Sequence, residues 1–484
     1  MISITKLEPK ALWQYFDDIC KVPRTSKHEE KITKFLLDFA KEHHLEAKQD
    51  AIGNVLITRE ASPNMAYKET LVLQCHVDMV GEKRAGIEHD WEKDPIIPII
   101  RNGWVMASGT TLGADDGIGM AAQMAILTDP NLKTGKIEAL FTVDEETGLT
   151  GAKNIQPDFF SGKTLINLDS EDEGIMFIGC AGGMDTIGIM QYQPKPTYEN
   201  DIALCVSLHG LHGGHSGDEI HKGYGNAVKI LSRMLWNMAE LYGISLSLFN
   251  GGNLRNAIPR EATAIFTIDK SLKEEAISWM HDFYSTLLSE YGQLEPEILF
   301  DITETAMPQT VMDIDTQDHL LTALNTCPNG VMAWSKDIPG LVETSTNLAS
   351  VKFLENNYIK ITTSQRSSVE SSRQAVVNAM RTCFRLNGAD VICSDGYPGW
   401  QPNMNSRILQ VTRQSYRKLF RKEPIVTAIH AGLECGLFAE KIKDIDMISI
   451  GPTIRGAHTT EERIDINTVT LFWDLLIDII ENFK

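Results

Sequence analysis

Histidine and acidic residues stand at the ends of apolar segments in this chain, and their types suit metal binding and the activation of water. Residues 71–78 read LVLQCHVD, so His76 and Asp78 are two residues apart where an apolar run ends. Residues two apart share one face of a strand. One ring nitrogen of the imidazole could bind an ion while the carboxylate holds the other nitrogen. For this pair alone, a surface histidine with satisfied hydrogen bonds is the alternative.

Two adjacent acids, Asp115 and Asp116, stand among Gly113, Gly117 and Gly119 at the predicted start of a helix. Aspartate in a first helical turn commonly serves as a cap that favours the helix dipole. Capping does not explain the glycines, which lower helix stability. We therefore predict a site at which the backbone is closely approached or turns unusually.

A run of three acids, Asp144 to Glu146, follows the predicted buried strand 137–143, and Asp169 closes the apolar run that starts at residue 164. Strand ends of open α/β sheets are where sites gather. Unequal surroundings could make one carboxylate a ligand and its neighbour a proton carrier. A solvated acidic loop is the alternative for each of these segments.

A second histidine, His458, lies in a loop with glycine and proline after the predicted strand 447–450. An exposed loop histidine is its simplest interpretation. Together with the earlier segments, however, it gives two histidines and three or four carboxylates at strand ends. Such a set is sufficient for two divalent ions that share a bridging carboxylate.

The segments that must position these residues alternate between helical and β patterns. Helices are predicted at 9–20, 28–43, 225–241, 273–291, 367–386, 405–420 and 467–483, and strands at 54–59, 71–75, 137–143, 165–168, 390–393 (an edge strand) and 447–450. The early alternation predicts an α/β domain with a largely buried sheet. We predict that residues 1–185 and 396–484 form one discontinuous domain and that residues 186–395 are inserted into it.

Composition excludes several classes of function. The chain has 484 residues and a net charge of -20, which disfavours binding to nucleic acid or to anionic membranes. No basic segment followed by an apolar core opens the sequence and no long apolar run follows, so we expect a cytoplasmic protein. The eight cysteines lack CxxC spacing, which argues against a disulfide framework or a zinc knuckle.

The ordered motifs resemble those of the M20 metallopeptidases, and specifically the aminoacyl-histidine dipeptidase group, also described as cytosol non-specific dipeptidases. The strings that carry the resemblance occur along nearly the whole chain: QCHVDMV, GTTLGADDGIG, FTVDEETGLTGA, INLDSEDEG, HGGHSGDEI, NLRNAIPREA, TTSQRSSVESS and GPTIRGAHTTEER. The resemblance implies a two-domain α/β zinc peptidase, with a mixed-sheet α/β catalytic domain and an inserted α+β lid domain.

The resemblance also implies a ligand set for two metal ions. One ion would be bound by His76, Asp115 and Asp169, and the other by His458, Asp115 and Glu146. Zinc is the expected metal, and manganese or cobalt also suits these ligands. The HAGLECG segment at residues 430–436 matches the group too, but we assign it no catalytic role.

Further roles follow from the same resemblance. Glu145 would be the general base, and Asp78 would orient His76. The family pattern implies a cis peptide between Asp115 and Asp116, a conformation found mainly at functional sites when no proline is present.

The predicted inserted domain contains a cluster of four histidines, His209, His212, His215 and His221. From the residue types alone, a third metal site is one interpretation. The resemblance instead singles out His215 as a hydrogen-bond donor to the oxyanion. It also matches Asn256 and Arg366 to positions that hold the substrate backbone and its terminal carboxylate, for which a guanidinium is well suited.

The predicted function is hydrolysis of short peptides, especially Xaa-His dipeptides such as carnosine, in a homodimer formed through the lid. The alternative is an amidase of the same fold that acts on N-acyl amino acids or on tripeptides. A binding protein that has lost catalysis is disfavoured because Glu145 accompanies a complete ligand set. A purely structural metal site is disfavoured because such zinc sites are rich in thiolates.

Overall fold

The computed structural model describes residues 3–484, and contacts within the chain divide them into two units. The first unit comprises the chain up to Cys180, Trp400–Ala428 and Leu433–Lys484. The second unit comprises Ala181–Gly399 and Ile429–Gly432. Residues 181–185, 396–399 and 429–432 were predicted to lie in the first domain, whereas contacts group them with the second unit. The Ala181 N–H lies 3.0 Å from the carbonyl oxygens of both Ile429 and Ala431, and the Gly183 N–H donates to the Tyr397 carbonyl oxygen at 3.0 Å.

The first unit is built on an eight-stranded mixed sheet. Its strands, in spatial order, are Glu46–Gln49, Val55–Arg59, Ile137–Thr142, Leu71–His76, Thr164–Asn167, Asp446–Ser449, Ile175–Cys180 and Ile425–Ile429. The four strands from Ile137–Thr142 to Asp446–Ser449 run parallel. Every residue of the three strands Ile137–Thr142, Leu71–His76 and Thr164–Asn167 is buried, as expected for parallel strands that are covered on both faces.

Helices cover this sheet and a smaller four-stranded sheet completes the unit. The helices are Lys10–Cys20, Glu30–Glu42, Ala114–Thr128, Glu145–Gly148, Thr150–Asn154, Arg407–Phe420, Glu434–Lys441 and Ile466–Asn482. The small sheet contains, in spatial order, Ile454–Arg455, Arg463–Asp465, Trp104–Ala107 and Pro98–Arg101. In the first helix, Leu12, Trp13, Phe16 and Ile19 are buried at helical spacing, so one apolar face packs into the core.

The second unit contains a nine-stranded sheet whose strand pairs are antiparallel. Its strands, in spatial order, are Leu299–Thr305, Asp201–His209, Ala262–Asp269, Ser245–Gly251, Val342–Phe353, Tyr358–Ser367, Gly182–Gln191 and Asp390–Cys393, while Gly330–Trp334 also pairs with Val342–Phe353. Asp390–Cys393 lies at an edge, as the sequence predicted. Pro194–Lys195 and Val311–Met312 form a separate two-stranded ribbon.

Four α-helices accompany this sheet: Ala227–Tyr242, Lys273–Tyr291, Ile314–Thr326 and Glu370–Leu386. The first of them begins at Asn226, whose side chain accepts the N–H of Lys229 at 3.1 Å. It ends at Gly243, whose φ of 62° is the left-handed conformation that terminates many helices. The sheet and helices share one apolar core that includes Phe249 and Phe266. The α+β character expected of this part of the chain is confirmed.

All eight cysteines are free thiols, in agreement with the sequence analysis. Among the described helices, none combines the length and the hydrophobicity required to cross a lipid bilayer.

Candidate metal centre

The carboxyl ends of three neighbouring parallel strands bring the predicted site residues to one edge of the first unit's sheet. His76 is the last residue of Leu71–His76, which pairs with Ile137–Thr142 on one side and Thr164–Asn167 on the other. The run from Asp144 to Glu146 follows the first neighbour, and Asp169 follows the second. Parallel strands place these loops side by side, as is usual for sites on open α/β sheets.

The first predicted ligand group is assembled around the buried ring of His76. Its Nε2 atom lies 3.0 Å from Oδ1 of Asp115 and 3.3 Å from Oδ1 of Asp169. Possible ligand atoms of these three residues lie within 4.8 Å of one another. The structure therefore brings together all three residues expected to bind one ion.

The second predicted group is assembled around His458, which reaches the centre from the C-terminal part of the chain. Its Nε2 atom lies 3.2 Å from Oδ2 of Asp115 and 2.9 Å from Oε2 of Glu146. His458 has a φ of 63°, a conformation uncommon for residues other than glycine and frequent at functional sites. The two groups share Asp115, with one carboxylate oxygen directed to each histidine.

The donor atoms of this centre fit divalent cations. Imidazole nitrogens and carboxylate oxygens are the ligands of catalytic zinc and also suit manganese and cobalt. The Oε1 atom of Glu146 is buried and lacks a hydrogen-bond partner among the described residues. Because buried polar atoms are seldom left unpaired, this oxygen is consistent with a ligand position.

The histidines and acids of the centre shift one another's pKa values. Hydrogen bonds to Asp115 and Glu146 raise the pKa of His458 to about 11. Burial opposes the charge of Asp115, but the hydrogen bonds from His458 and His76 hold the pKa of this carboxyl well below its usual range. Burial raises the pKa of Asp169 to about 7. The cluster thus concentrates negative charge that cations would neutralise.

Glu145, the predicted base, lies beside the predicted ligand Glu146 in the short helix Glu145–Gly148. Burial raises the pKa of the Glu145 carboxyl well above its usual range. A raised pKa suits a group that must accept and then release a proton near neutral pH.

Asp78 contacts both the His76 ring and the turn that carries Glu145. Its Oδ1 atom lies 3.4 Å from Nδ1 of His76, although the hydrogen bond of that nitrogen, at 3.2 Å, is to the Asp78 carbonyl oxygen. The carboxylate oxygens accept the N–H of Glu145 at 3.0 Å and of Glu146 at 3.2 Å. The sequence indicated the contact with the ring but not the support of the turn.

The glycines around Asp115 have the steric role that the sequence suggested. Gly113 has a φ of 68°, and a Cβ atom there would lie 2.6 Å from the guanidinium of Arg24. A Cβ at Gly117 would also lie 2.6 Å from that guanidinium, and one at Gly119 would lie 2.4 Å from Asp116. The peptide between Asp115 and Asp116 is cis, as the resemblance implied.

Several buried charged residues near the centre were missed by the sequence analysis. Arg24 is buried and donates to the carbonyl oxygens of Val77 at 2.9 Å and Asp78 at 2.8 Å, and also to that of Gly113. Glu462 is buried and accepts backbone N–H groups from the Asp115 loop. The only local signal for Glu462 was its place in the string GAHTTEER, which gave no indication of burial.

A buried hydrogen-bond network that includes Glu434 was also missed. Its Oε2 atom accepts from Gln74 at 2.6 Å and from Thr142 at 2.7 Å, and Gln74 accepts from Asn167 at 2.7 Å. Gln74 is two residues before His76, and Asn167 is two residues before Asp169. The network therefore connects the two strands immediately before the predicted ligands His76 and Asp169. Burial raises the pKa of Glu434 to about 7.

The remaining predicted site residues lie in the second unit. His215 pairs with Ala257 in an isolated bridge, and the Ser216 N–H donates to the carbonyl oxygen of Asn256 at 2.8 Å, so His215 and Asn256 lie on adjoining segments. Nδ1 of His215 lies 3.1 Å from Oδ2 of Asp218, and this interaction lowers the pKa of Asp218.

Arg366 lies in strand Tyr358–Ser367 and is only 8% exposed. One of its terminal nitrogens donates to the Tyr397 hydroxyl at 3.2 Å, while its Nε atom is buried and lacks a partner among the described residues. Burial, followed by the charge of Arg366, lowers the pKa of the nearby His430 to about 3. Nε2 of His430 lies 2.7 Å from the Ser345 hydroxyl. Because the Nε atom of Arg366 lacks a partner, its guanidinium has hydrogen-bonding capacity for an anion.

The other three histidines of the cluster do not converge on a site. His209 pairs with Asp301 at 2.8 Å, His212 stacks on Tyr224, and His221 is exposed. Among the described residues, the groups that could hold an ion include none of the four clustered histidines. The third metal site considered from residue types alone is therefore not supported.

Comparison with known proteins gives a consistent result. The pattern of peptidase family M20/M25/M40 matches residues 72–482. The cytosol non-specific dipeptidase of Escherichia coli (strain K12) is 39% identical over 481 residues, which is 99% of each chain.

Solved structures agree over the whole chain. The crystal structure of aminoacylhistidine dipeptidase from Vibrio alginolyticus has a TM-score of 0.94 and 40% identity, covering 100% of this chain and 98% of the other. The structure of aminopeptidase PepT from Bacillus cereus has a TM-score of 0.58 at 17% identity, covering 98% of both chains, and supports the fold alone.

Proposed function

We propose a mechanism and a substrate class from one premise: the chain belongs to peptidase family M20/M25/M40 and is a metallo-dipeptidase, a hydrolase. The proposed substrates are short peptides, above all dipeptides with histidine in the second position, such as carnosine. The observation that carries the proposal is the pair of ligand groups that share Asp115, with Glu145 beside them.

His76, Asp115 and Asp169 would hold one ion, and His458, Asp115 and Glu146 the other. We propose zinc as the metal, and manganese or cobalt as functional substitutes. Two divalent ions at this centre would lower the pKa of a water molecule to about 7 and would thereby supply a nucleophile at neutral pH.

Glu145 is the proposed general base. It accepts a proton from the attacking water and later donates that proton to the departing amine. Its position is supported by the Asp78 carboxylate, which holds the Glu145 N–H at 3.0 Å. Glu146 is one residue away yet 2.9 Å from His458, so the adjacent acids have different tasks.

Residues of the second unit are proposed to bind the substrate, and this unit is proposed to be the lid. His215 donates to the carbonyl oxygen as that oxygen gains negative charge, a contribution usually worth a large rate factor. Asn256 binds the substrate backbone. Arg366 binds the terminal carboxylate, a role supported by its unpaired buried Nε atom.

We further propose that the protein acts in the cytoplasm as a homodimer formed through the lid. The cytoplasmic location is supported by the name of the Escherichia coli relative and by the eight free thiols. The dimer rests on the family resemblance.

The test is release of free amino acid by chelator-treated protein with and without added zinc. Carnosine, other Xaa-His dipeptides, non-histidine dipeptides, a tripeptide and N-acyl amino acids form the panel. N-acetylcarnosine is the matched control because it has the same scissile bond without a free amine. We expect zinc-dependent cleavage of dipeptides and little of the acetylated compound. Hydrolysis of N-acyl amino acids or tripeptides without dipeptide cleavage would overturn the proposal.

A further inference from the structure

Glu462 makes an unusual set of hydrogen bonds to the loop that leads into Asp115. The side chain is 2% exposed, and both carboxylate oxygens accept backbone N–H groups. Oε2 accepts from Leu112 at 2.8 Å and from Gly113 at 2.9 Å. Oε1 accepts from Ala114 at 2.7 Å and from Asp115 at 3.3 Å. Four consecutive N–H groups therefore converge on one carboxylate.

This arrangement requires an anion with two oxygens. Asp115 and Asp116 have non-helical backbone angles, so the regular helix begins only after them and the N–H groups of residues 112–115 lie in the irregular turn before it. Buried N–H groups need hydrogen-bond acceptors, and the Glu462 carboxylate supplies them here. The amide of glutamine has only one acceptor oxygen and would direct an N–H₂ group toward other donors.

Glu462 is also fixed relative to His458. Its own N–H donates to the carbonyl oxygen of Thr459 at 3.1 Å, and the Thr459 N–H donates to that of Gly456 at 3.2 Å. The strand Arg463–Asp465 starts at the next residue and pairs with Trp104–Ala107. Little freedom remains between the histidine and the glutamate.

We propose that Glu462 is a positioning residue that sets the separation of Asp115 and His458, and that it thereby determines how tightly the centre binds its ions. The Glu462 carboxylate holds the Asp115 loop, and the turn that carries Glu462 also carries His458, so this residue connects the two sides of the 3.2 Å approach between His458 and Asp115. The inference rests on the proposed function, because it takes both residues as metal ligands.

The test compares Glu462→Gln with Glu461→Gln in metal-free protein. Glu461 is the adjacent residue, with a side chain 60% exposed, and its substitution removes the same charge without touching the Asp115 loop. Zinc affinity is measured by competition with a coloured chelator. Hydrogen exchange at residues 112–115 is measured without metal.

We expect Glu462→Gln to weaken zinc binding by about 10- to 100-fold, the usual effect of losing a group that orients metal ligands. Exchange at the four amides should accelerate, while Glu461→Gln should match the wild type in both measurements. If Glu462 only stabilised the turn at residues 112–115, its substitution would change the rate of hydrogen exchange there but not the affinity for zinc. Wild-type zinc affinity in a folded Glu462→Gln protein therefore overturns the inference.

If Glu462→Gln does not fold, Glu462→Asp replaces it, since the shorter carboxylate keeps the charge but reaches the loop less well. Weaker zinc binding in that variant supports the inference, and wild-type affinity overturns it. Failure of the wild-type protein to bind two ions would instead refute the proposed function, and the inference with it. Loss of affinity in both glutamine variants would indicate a general effect of charge and would also overturn the inference.

Discussion

Asp78 holds the backbone N–H of Glu145 at 3.0 Å through the same oxygen that lies 3.4 Å from the His76 ring. One buried carboxylate thus contacts both a predicted metal ligand and the turn that presents the predicted base. The adjacent Glu146 is directed toward His458 instead. The neighbouring acids Glu145 and Glu146 therefore have different contacts, and substitution can test whether they also have the different roles proposed for them.

Glu145→Gln should retain both ions and lose turnover by about a hundred- to ten-thousandfold, because only proton transfer is removed. Glu146→Gln should instead bind less metal, because it replaces a ligand. Metal content after dialysis and steady-state hydrolysis of carnosine give the two readouts. Turnover close to that of the wild type in Glu145→Gln would show that a residue other than Glu145 is the general base.

His215→Ala should lower kcat by about a hundred- to a thousandfold, the usual effect of removing one oxyanion donor, with metal content unchanged. The matched control is His212→Ala, since the side chain of His212 is 56% exposed and stacks on Tyr224. The control should retain nearly full turnover. An equal loss in both variants would point to disruption of the surrounding loop rather than to a role in catalysis.

Arg366→Lys should raise KM for dipeptides by about 10- to 100-fold with a smaller effect on kcat, because an ammonium keeps the charge but loses the two-pronged contact with a carboxylate. Arg385→Lys, on the exposed surface of helix Glu370–Leu386, is the control. Dipeptide amides, which lack the terminal carboxylate, should be affected much less. A KM equal to that of the wild type would remove Arg366 from substrate binding.

Glu434→Gln should change how stability depends on pH in the metal-free protein. Burial raises the pKa of Glu434 from 4.5 to about 7, so between these values the folded state binds a proton that the unfolded chain has released. The free energy of unfolding therefore falls as pH rises through this window. Because glutamine does not titrate, the variant should gain up to about 3 kcal/mol relative to wild type from pH 4.5 to 7.

Urea unfolding at several pH values measures this difference, and Glu440→Gln is the control because it lies exposed on the same helix. The free energy of unfolding of the control should depend on pH in the same way as that of the wild type. If the free energy of unfolding had the same pH dependence in Glu434→Gln and in the wild type, Glu434 would have its ordinary pKa in the folded state.

Elements with strong local patterns were predicted accurately from the sequence. The helix predicted at 273–291 is Lys273–Tyr291, and the strand predicted at 71–75 is Leu71–His76. Such patterns record which side of each element is buried, and burial is the main determinant of the fold. Residues 181–185, 396–399 and 429–432 were assigned to the first domain from the sequence but group with the second unit, because their association depends on hydrogen bonds between distant segments.

The sequence by itself determined the residue types of the centre and their order, since histidines and acids at the ends of apolar strands are a local pattern. The resemblance implied that Asp115 is shared between His76 and His458, but only the tertiary structure gave one carboxylate oxygen to each histidine and showed that Glu462 reaches the Leu112 N–H from 350 residues away. Arg24 and Glu434 likewise became visible only through their contacts. The physical reason is that burial of a charged group depends on partners that the folded chain supplies, and its own sequence neighbours do not reveal them.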